Sequence, residues 1–299
     1  MFLNWLGALP GAAAQGMIWG IMAIGVFITF KILDIADLTV DGSICTGGAV
    51  CAVLVTNGVN VWIAILAAVL AGFLTGLITG VFHTFMGIPA ILSGILTQLI
   101  LWSVNLKIMG KANIALPVRN YKLLLAQINT MQSLLTLVIF IAVLIAVLYW
   151  FFGTELGTSL RATGNNISMS RAQGINTNFT TILGLVLSNG IVALSGALLS
   201  QYQGFSDINM GRGAIVIGLA AVIIGEAVIS RISQNFTVRL IGVILGGIIY
   251  YFVYQTVIFL GLDADLLKML SALVVAIFLA VPYWKKTYFT KAKGGHRNA

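Results

Sequence analysis

Leu134-Leu-Thr-Leu-Val-Ile-Phe-Ile-Ala-Val-Leu-Ile-Ala-Val-Leu-Tyr-Trp-Phe-Phe152 is the stretch that decides the fold class of this 299-residue chain. It has no charged residue, no proline and no glycine over nineteen positions. A helix needs about 20 apolar residues to cross the hydrocarbon core of a bilayer. A strand of a membrane barrel would instead alternate apolar and polar residues over about ten positions. The stretch therefore predicts a transmembrane helix.

The composition extends this conclusion to the whole chain. Hydrophobic residues make up 60% of it and charged residues only 8%, whereas about 25% of a soluble domain is charged. A soluble fold is thereby excluded, and the length allows up to about ten crossings. The sequence predicts an all-α polytopic membrane protein with one integral membrane domain, residues 1–299, in the lipid bilayer. The predicted transmembrane or partly spanning helices number nine, at about 12–33, 43–55, 61–82, 87–104, 134–152, 180–199, 213–229, 238–260 and 267–281.

The distribution of basic residues predicts the orientation. Nine spans would place the two termini on opposite sides of the membrane, and cytoplasmic loops carry an excess of Lys and Arg. With the basic tail, residues 283–299, in the cytoplasm, ten of the sixteen Lys and Arg residues lie inside and six outside. This count favours a cytoplasmic tail and a cytoplasmic loop 153–179. The net charge of +8 is typical of such loop ends, so we expect no nucleic-acid partner.

Two short sequences suggest an inverted repeat. Asp37-Leu-Thr-Val40 precedes a short apolar run that reaches Gly48, and Asp207-Ile-Asn-Met210 precedes a similar run that reaches Gly218, with an offset of 170 in each case. Five predicted spans separate the two copies, an odd number, so the second copy would be upside down. Inverted repeats with short, glycine-interrupted spans are typical of transporters.

Acidic residues cluster after the first predicted span. Asp34, Asp37 and Asp41 fall within eight positions, and an acid at the bilayer centre costs about 2.5–3.5 kcal/mol on insertion scales. Three uses are open: capping of helices, lining of a translocation path, and coupling to an ion. Asp41 or Ser43 is well placed to cap the second predicted helix.

Further polar residues fall within predicted spans. Ser93 and Thr97 lie four positions apart, hence on one helix face, and suit either a cavity lining or ordinary hydrogen bonds between helices. The candidate residues of a translocation path are Asp37, Asp41, Ser43, Ser93, Thr97 and Gln98.

Two more patterns lie within apolar runs. Glu226 is an intramembrane acid, which by default indicates function, but Arg231 follows five positions later, and we favour an ion pair between them at the membrane edge. Gly72, Gly76 and Gly80 recur every fourth residue. This spacing predicts a small-residue face for close helix packing, either within one subunit or across a dimer.

The loop 153–179 is the longest polar connection with internal order. Glycines at 164 and 174 are read as breaks, and Asn165–Gln173 between them is long enough for about two turns of helix. Such an element could dock into a soluble partner. A plain connecting loop is the alternative.

Within this loop, Leu160-Arg-Ala-Thr-Gly-Asn-Asn-Ile-Ser-Met-Ser-Arg-Ala-Gln-Gly-Ile-Asn176 resembles the coupling region of membrane permease subunits of ATP-binding-cassette importers. The branch is that of branched-chain amino acid and ribose permeases. Residues 32–43 resemble the polar segment after its first span, and residues 211–226 resemble its later short helix. The resemblance extends over about residues 15–281, and it is strongest to a less characterised subgroup that includes tryptophan and tyrosine transporters.

The resemblance implies a dimer of this chain in the plasma membrane of a prokaryote, with a cytoplasmic ATPase dimer and an extracytoplasmic solute-binding protein. ATP and magnesium would bind to the partner ATPase. This chain would bind no cofactor or metal and would not be an enzyme. In agreement, it contains no G-x-x-x-x-G-K-[ST] phosphate loop. The implied ATPase-coupling residues are Arg161, Gly164, Asn165, Asn166, Arg171 and Gly174.

The expected function is ATP-driven import of a small solute, with an amino acid, aromatic ones included, as the favoured class. Two other classes remain open. An ion- or proton-coupled secondary transporter would agree with the inverted repeat and the acids, and a non-transporting membrane scaffold would move no solute under any energy source.

Overall fold

The computed structural model describes residues 2–117, 121, 123–229 and 235–259, together with positions 269, 272–273, 276–277 and 280. Ten α-helices lie in these ranges, and two short strands form an antiparallel pair in which Asn113 faces Asp207. In chain order the elements are α1 (Phe2–Phe27, continued by a π-helical turn at Ile28–Ile32), α2 (Val40–Thr56), α3 (Val61–Thr84), α4 (Ala90–Met109), β1 (Asn113–Ala115), α5 (Thr130–Gly153, preceded by a 3₁₀ turn at Gln127–Asn129), α6 (Glu155–Asn165), α7 (Ile167–Ala172), α8 (Thr177–Gln203), β2 (Phe205–Asp207), α9 (Ala214–Ile229) and α10 (Phe236–Phe259).

The all-α polytopic fold is confirmed. In the described part of the chain, six helices are long and apolar enough to cross a membrane, and α2 and α9 are shorter apolar helices. These eight correspond to the first eight predicted spans. Most of the ninth predicted span, 267–281, and the whole tail, 283–299, lie outside the described residues.

Several helix ends differ from the predicted ones, most of all the start of α1, which is at Phe2 and not near residue 12. The second helix begins at Val40, three residues before its predicted start. The fourth helix continues beyond residue 104 to Met109, where Gly110 adopts φ +68° and its N–H bonds the carbonyl of Leu106. Glycine adopts this left-handed conformation without steric cost. Asn105 consequently lies inside the helix and is buried, although its polarity indicated a loop.

The two halves of the fold are related by inversion. α1, α2 and α3 form the first half and α8, α9 and α10 the second, and the first helix of each half packs along the third helix of the other. α1 and α8 are antiparallel, because Ser188 Oγ donates to the Gly25 carbonyl while Ser195 Oγ donates to the Ile18 carbonyl. The second copy is therefore upside down relative to the first.

Glycines allow these close contacts. A Cβ atom added at Gly76 would lie 2.7 Å from Val186 Cα, and one added at Gly72 would lie 2.5 Å from the carbonyl oxygen of Asn189. Gly80 faces Ile182 in the same row. All three glycines thus pack against α8 of their own chain, which is the first of the two alternatives open from the sequence.

The short helices α2 and α9 begin in the interior of the fold. Ser43, in the first turn of α2, hydrogen-bonds Asn189, near the midpoint of α8. The start of α9 contacts the start of α2, since the backbone N–H groups of Gly213 and Ile215 donate to the Asp41 carboxylate. The two N-termini meet there, and the segments that lead to them enter from opposite ends. We call these ends the strand end, which carries the β1–β2 pair, and the α6–α7 end.

Candidate coupling and translocation sites

The α6–α7 element consists of two short helices separated at Asn166. The Thr154 side chain accepts a hydrogen bond from Gly157 N–H at the start of α6, and the Asn166 side chain accepts one from Met169 N–H (2.9 Å) at the start of α7. Gly174, with φ +81°, ends the element before α8. Capping side chains of this kind satisfy backbone donors that a helix start leaves free.

Gly164 is not the helix break that the sequence indicated. It lies inside α6, and the space that a Cβ would need there is occupied by the Ile32 carbonyl group, with Leu33 Cα at 2.8 Å. The chain turns at Asn166 instead, where the backbone is extended (φ −158°). Gly164 therefore provides close contact between α6 and the end of the first span.

Three further contacts fix α6 across the ends of the spans. Thr163 Oγ1 lies 2.8 Å from Thr180 Oγ1 in α8. The guanidinium carbon of Arg161 lies 5.1 Å from the ring centre of Phe152 and 4.5 Å from that of Phe236, within the range of cation–π attraction. Burial and the nearby Arg239 lower the pKa of the Arg161 guanidinium. α6 thus connects to α5, α8 and α10 as well as to α1.

α7 is held on one side and exposed on the other. Arg171 Nε donates a hydrogen bond of 2.8 Å to Thr177 Oγ1, which links α7 to the first turn of α8. Ile167 and Met169 are 50% and 61% exposed. Exposed apolar side chains outside the spanning helices are suited to contact with another protein.

A charged cluster lies beside α6. Lys31 Nζ is 2.7 Å and Arg239 Nη2 is 2.6 Å from the two oxygens of the Glu226 carboxylate. Within the described part of the chain, Glu226 therefore forms ion pairs with Lys31 and Arg239. Arg231, its predicted partner, lies outside the described residues. A cavity of about 780 Å³ opens here, and its lining includes Lys31, Asp34, Arg161, Asn165 and Arg239.

A buried chain of polar side chains, which we call the polar seam, connects the start of α2 with α3, α4 and α8. Its members are Asp37, Thr39, Ser43, Thr75, Thr79, Thr97 and Asn189.

Asn189 is the branching point of the polar seam. Its Nδ2 donates to Asp37 Oδ2 (2.8 Å) and its Oδ1 accepts from Ser43 Oγ (2.6 Å). Ser43 Oγ lies 2.8 Å from Thr75 Oγ1. The buried Asp37 also accepts from Thr39 N–H (2.9 Å). Buried polar groups in hydrocarbon require such partners, so the polar seam connects the start of α2 to the middle of α8.

The hydroxyls of Thr39, Thr79 and Thr97 continue the polar seam towards α4. Thr39 Oγ1 lies 2.7 Å from Thr79 Oγ1, which donates to Thr97 Oγ1 (3.0 Å). Ser93, also buried, donates to the Ala90 carbonyl within its own helix. Within the described ranges, Thr97 thus forms a hydrogen bond between helices, whereas Ser93 bonds only within its own helix.

Asp41 caps a helix, but not the one that was predicted. The N-cap of α2 is Thr39, without a side-chain capping bond. The Asp41 carboxylate instead accepts from Gly213 N–H and Ile215 N–H, both 2.9 Å, at the start of α9. Because α9 is 172 residues away in the chain, no local pattern could indicate this pairing. Asp41 and Gln98 also line a cavity of about 200 Å³.

Sequence analysis missed four residues that organise these sites. Asn189 had a visible signal, since it is an amide within an apolar run, and polar residues inside membrane helices are costly and functional. Asn105 was assigned to a loop. Lys31 and Arg239 were counted only as loop charges, because their pairing with Glu226 depends on packing.

Comparison with known proteins agrees with this architecture. Residues 9–281 match the model of a family described as branched-chain amino acid transport system / permease component. A tyrosine transport system permease protein of Clostridioides difficile is 40% identical over 267 residues, which cover 89% of this chain and 88% of that protein. An uncharacterized protein of Rickettsia prowazekii is 33% identical and covers 90% of this chain and 95% of its own length.

A more distant relative matches over a shorter region. The autoinducer 2 import system permease protein of Salmonella typhimurium is 32% identical over 117 residues, 39% of this chain and 32% of that protein. No solved structure matches the chain. From the full-length matches and the helical membrane architecture, the chain belongs to the family of branched-chain amino acid transport system permease components and is a multi-pass permease of the bacterial plasma membrane.

Proposed function

We propose that this chain is the permease subunit of an ATP-driven importer of an amino acid. It forms the translocation path as a dimer, an ATPase dimer binds to its cytoplasmic face, and an extracytoplasmic protein delivers the solute. ATP and magnesium bind to the ATPase. Tyrosine or another aromatic amino acid is the favoured substrate, because a relative that is 40% identical over 89% of this chain is a tyrosine transport system permease protein.

The α6–α7 element is the observation that carries the proposal. It contacts the end of α1 through Gly164, the start of α8 through Thr163, and the ends of α5 and α10 through Arg161. Its outer part, α7, exposes Ile167 and Met169. A force applied to α7 by a bound partner would therefore reach both halves of the fold together. A plain connecting loop does not require this many fixed contacts.

The exposed faces of the spans provide room for a second copy. In the most apolar windows of α4 and α5, only 28% and 17% of the residues are buried within this chain. Such faces contact lipid or another helix bundle, and a dimer interface of this kind would place one translocation path between two copies.

Energy dependence tests the proposed function directly. The purified permease, its ATPase and its binding protein are reconstituted into liposomes, and uptake of radiolabelled L-tyrosine is measured with and without ATP on the ATPase side. We expect uptake that requires ATP and persists when ionophores dissipate all ion gradients. Uptake that the ionophores abolish while ATP remains would indicate a secondary transporter. Absence of flux of any amino acid under either energy source would indicate a scaffold.

A further inference from the structure

A second polar site lies next to the polar seam but shares none of its residues, in the cavity of about 200 Å³ between α2, α4 and residues 208–212. We call it the α2–α4 cavity. Its volume is below the roughly 300–1,000 Å³ of pockets for drug-sized ligands, so it suits one small solute. The segment 205–213 reaches it from the strand end, which is the extracytoplasmic end in the predicted orientation.

Asn105 is the unexplained group in this cavity. Its side chain is 1% exposed, and neither its amide nitrogen nor its amide oxygen has a hydrogen-bond partner among the described residues. A buried polar group without a partner costs about 1–3 kcal/mol. A site that retains such a group has a use for it, and this amide offers both a donor and an acceptor.

Charges of opposite sign line the same cavity. The Asp41 carboxylate accepts two backbone N–H bonds, which leaves part of its capacity of about four acceptor positions. Arg212 is exposed, and in the part of the chain that the structure describes its side chain forms no ion pair. The cavity thus combines an anionic group, a cationic group and an amide that can serve either partner.

An aromatic side chain completes the lining. Trp102 lies three residues before Asn105 on α4, lines the cavity and is 45% exposed. Its ring offers an apolar face for the side chain of a solute and attracts a nearby ammonium group.

We propose that the α2–α4 cavity is a subsite on the translocation path that binds the head group of an α-amino acid. Arg212 pairs with the α-carboxylate, Asp41 accepts from the α-ammonium, Asn105 bonds both, and Trp102 contacts the side chain. This inference rests on the proposed function, because it assumes that amino acids pass through this chain. Sugars lack the paired charges that this lining would match.

Direct binding tests the subsite without the external binding protein. The thermal unfolding midpoint of the purified permease–ATPase complex is measured with L-tyrosine, L-tryptophan and L-leucine, and with tyramine and 3-(4-hydroxyphenyl)propionate, which lack the carboxylate and the amine respectively. We expect amino acids to raise the midpoint at concentrations at least tenfold lower than either analogue. Equal shifts by the analogues, or no shift by any amino acid, would overturn the proposal.

Matched variants assign the binding to this cavity. Arg212→Gln and Asn105→Leu should abolish the shift by L-tyrosine. Lys111→Gln, which removes another exposed cation near the same end, and Val104→Leu, on the exposed face of α4, should retain it. Arg212 is exposed, so its variant tests the site even if Asn105→Leu folds poorly. Retention of the full shift in Arg212→Gln, or in a folded Asn105→Leu, would overturn the proposal.

The two proposals fail in different ways. If wild-type liposomes show ATP-driven uptake but the Arg212 and Asn105 variants bind and transport amino acids like the controls, the subsite is wrong and the proposed function stands. If wild-type liposomes show no ATP-driven uptake of any amino acid, the proposed function is wrong. If the cavity holds only a water molecule, Asn105→Leu should leave uptake and binding unchanged, and this result would also exclude the subsite.

Discussion

α8 and α1 are equivalent helices in the two inverted halves, yet their surroundings differ in chemistry. Around α8, hydroxyl groups from α2 and α3 and the carboxylate of Asp37, before α2, meet at the Asn189 amide and form the polar seam. Around α1, apolar and aromatic groups dominate: Gly218 packs against Met22 and Val26, and Trp19 stacks on Tyr251 with ring centres 6.1 Å apart. The halves thus share a backbone arrangement but not its polar content.

The two inverted halves therefore share their helix packing, whereas their side chains differ in chemistry. Both halves place a short helix so that it begins inside the fold, after an Asp carboxylate that accepts from the backbone N–H two residues later: Asp37 with Thr39, and Asp207 with Asn209. Among the residues that the structure describes, the buried hydrogen-bond network built on this region lies in the first half. The α2–α4 cavity lies beside that network, whereas the charged cluster around Glu226 lies where α9 ends.

The largest expected effect is loss of the shared packing. Leu at Gly76 in α3 would collide with the backbone of Val186 in α8, and Leu at Gly247 in α10 would collide with the backbone of α1, where an added Cβ would lie 2.7 Å from the Gly16 carbonyl oxygen. Backbone cannot move aside as a side chain can, so we expect destabilisation of about 3 kcal/mol or more in each variant, at the upper end for overpacking. Recovery of folded protein by gel filtration in detergent measures it.

Gly153→Leu is the control for this pair, because no atom lies within 4 Å of the Cβ that Gly153 lacks. Normal recovery of Gly76→Leu but not of Gly247→Leu, or the reverse, would contradict equal packing of the α3–α8 and α1–α10 contacts.

A smaller effect should separate the two surroundings by their hydrogen bonds. Asn189→Leu removes one hydrogen bond from Asp37 and one from Ser43, which keep their bonds to Thr39 N–H and Thr75. We expect a loss of about 2–4 kcal/mol, from about 1.5–3 kcal/mol for the bond to the carboxylate and about 0.5–1.5 kcal/mol for the bond to the hydroxyl. Ser195→Ala removes one bond, to the Ile18 carbonyl of α1, and should cost about 1 kcal/mol. Thermal unfolding in detergent compares the variants, and equal midpoints would show that the polar seam does not stabilise the α8 side.

The smallest expected effect concerns the charged cluster. Glu226 is 23% exposed and its partners Lys31 and Arg239 are 34% and 41% exposed. Pairs of this exposure contribute about 0–1 kcal/mol and weaken in salt. Glu226→Gln should therefore lower the unfolding midpoint only slightly at low salt and not at 1 M salt. A large, salt-independent loss would show that Glu226 has a role beyond an ion pair at the membrane edge.

The helices were predictable from the sequence, because apolar length alone indicates a membrane span. α5 covers the predicted 134–152 and extends it by a few residues. The end of α4 was not predictable in this way: Asn105 is as polar as a loop residue, and its burial depends on α2 and residues 208–212. The inverted repeat was visible because its turns use the same residue spacing in both copies.

Roles that depend on distant partners were beyond the sequence. The pattern around Asp41 indicated a cap for α2, its own helix, but the backbone donors that it meets belong to α9. Gly164 looked like a helix break because glycine often ends helices, whereas here it admits the Ile32 carbonyl to the side of α6. A residue's type can be read from the sequence, but its role depends on the distant residues that the fold places next to it.

The central claim is that α7 transmits the action of an ATPase to both halves of the fold. Copurification of the ATPase and solute-stimulated ATP hydrolysis are measured for Arg171→Glu and Met169→Asp. Lys111→Glu, a charge reversal near the strand end, is the control. We expect the two α7 variants to lose at least tenfold in ATPase recovery or in solute-stimulated hydrolysis, with the permease itself still folded in the membrane. Wild-type ATPase recovery, hydrolysis and uptake in both α7 variants would contradict the account.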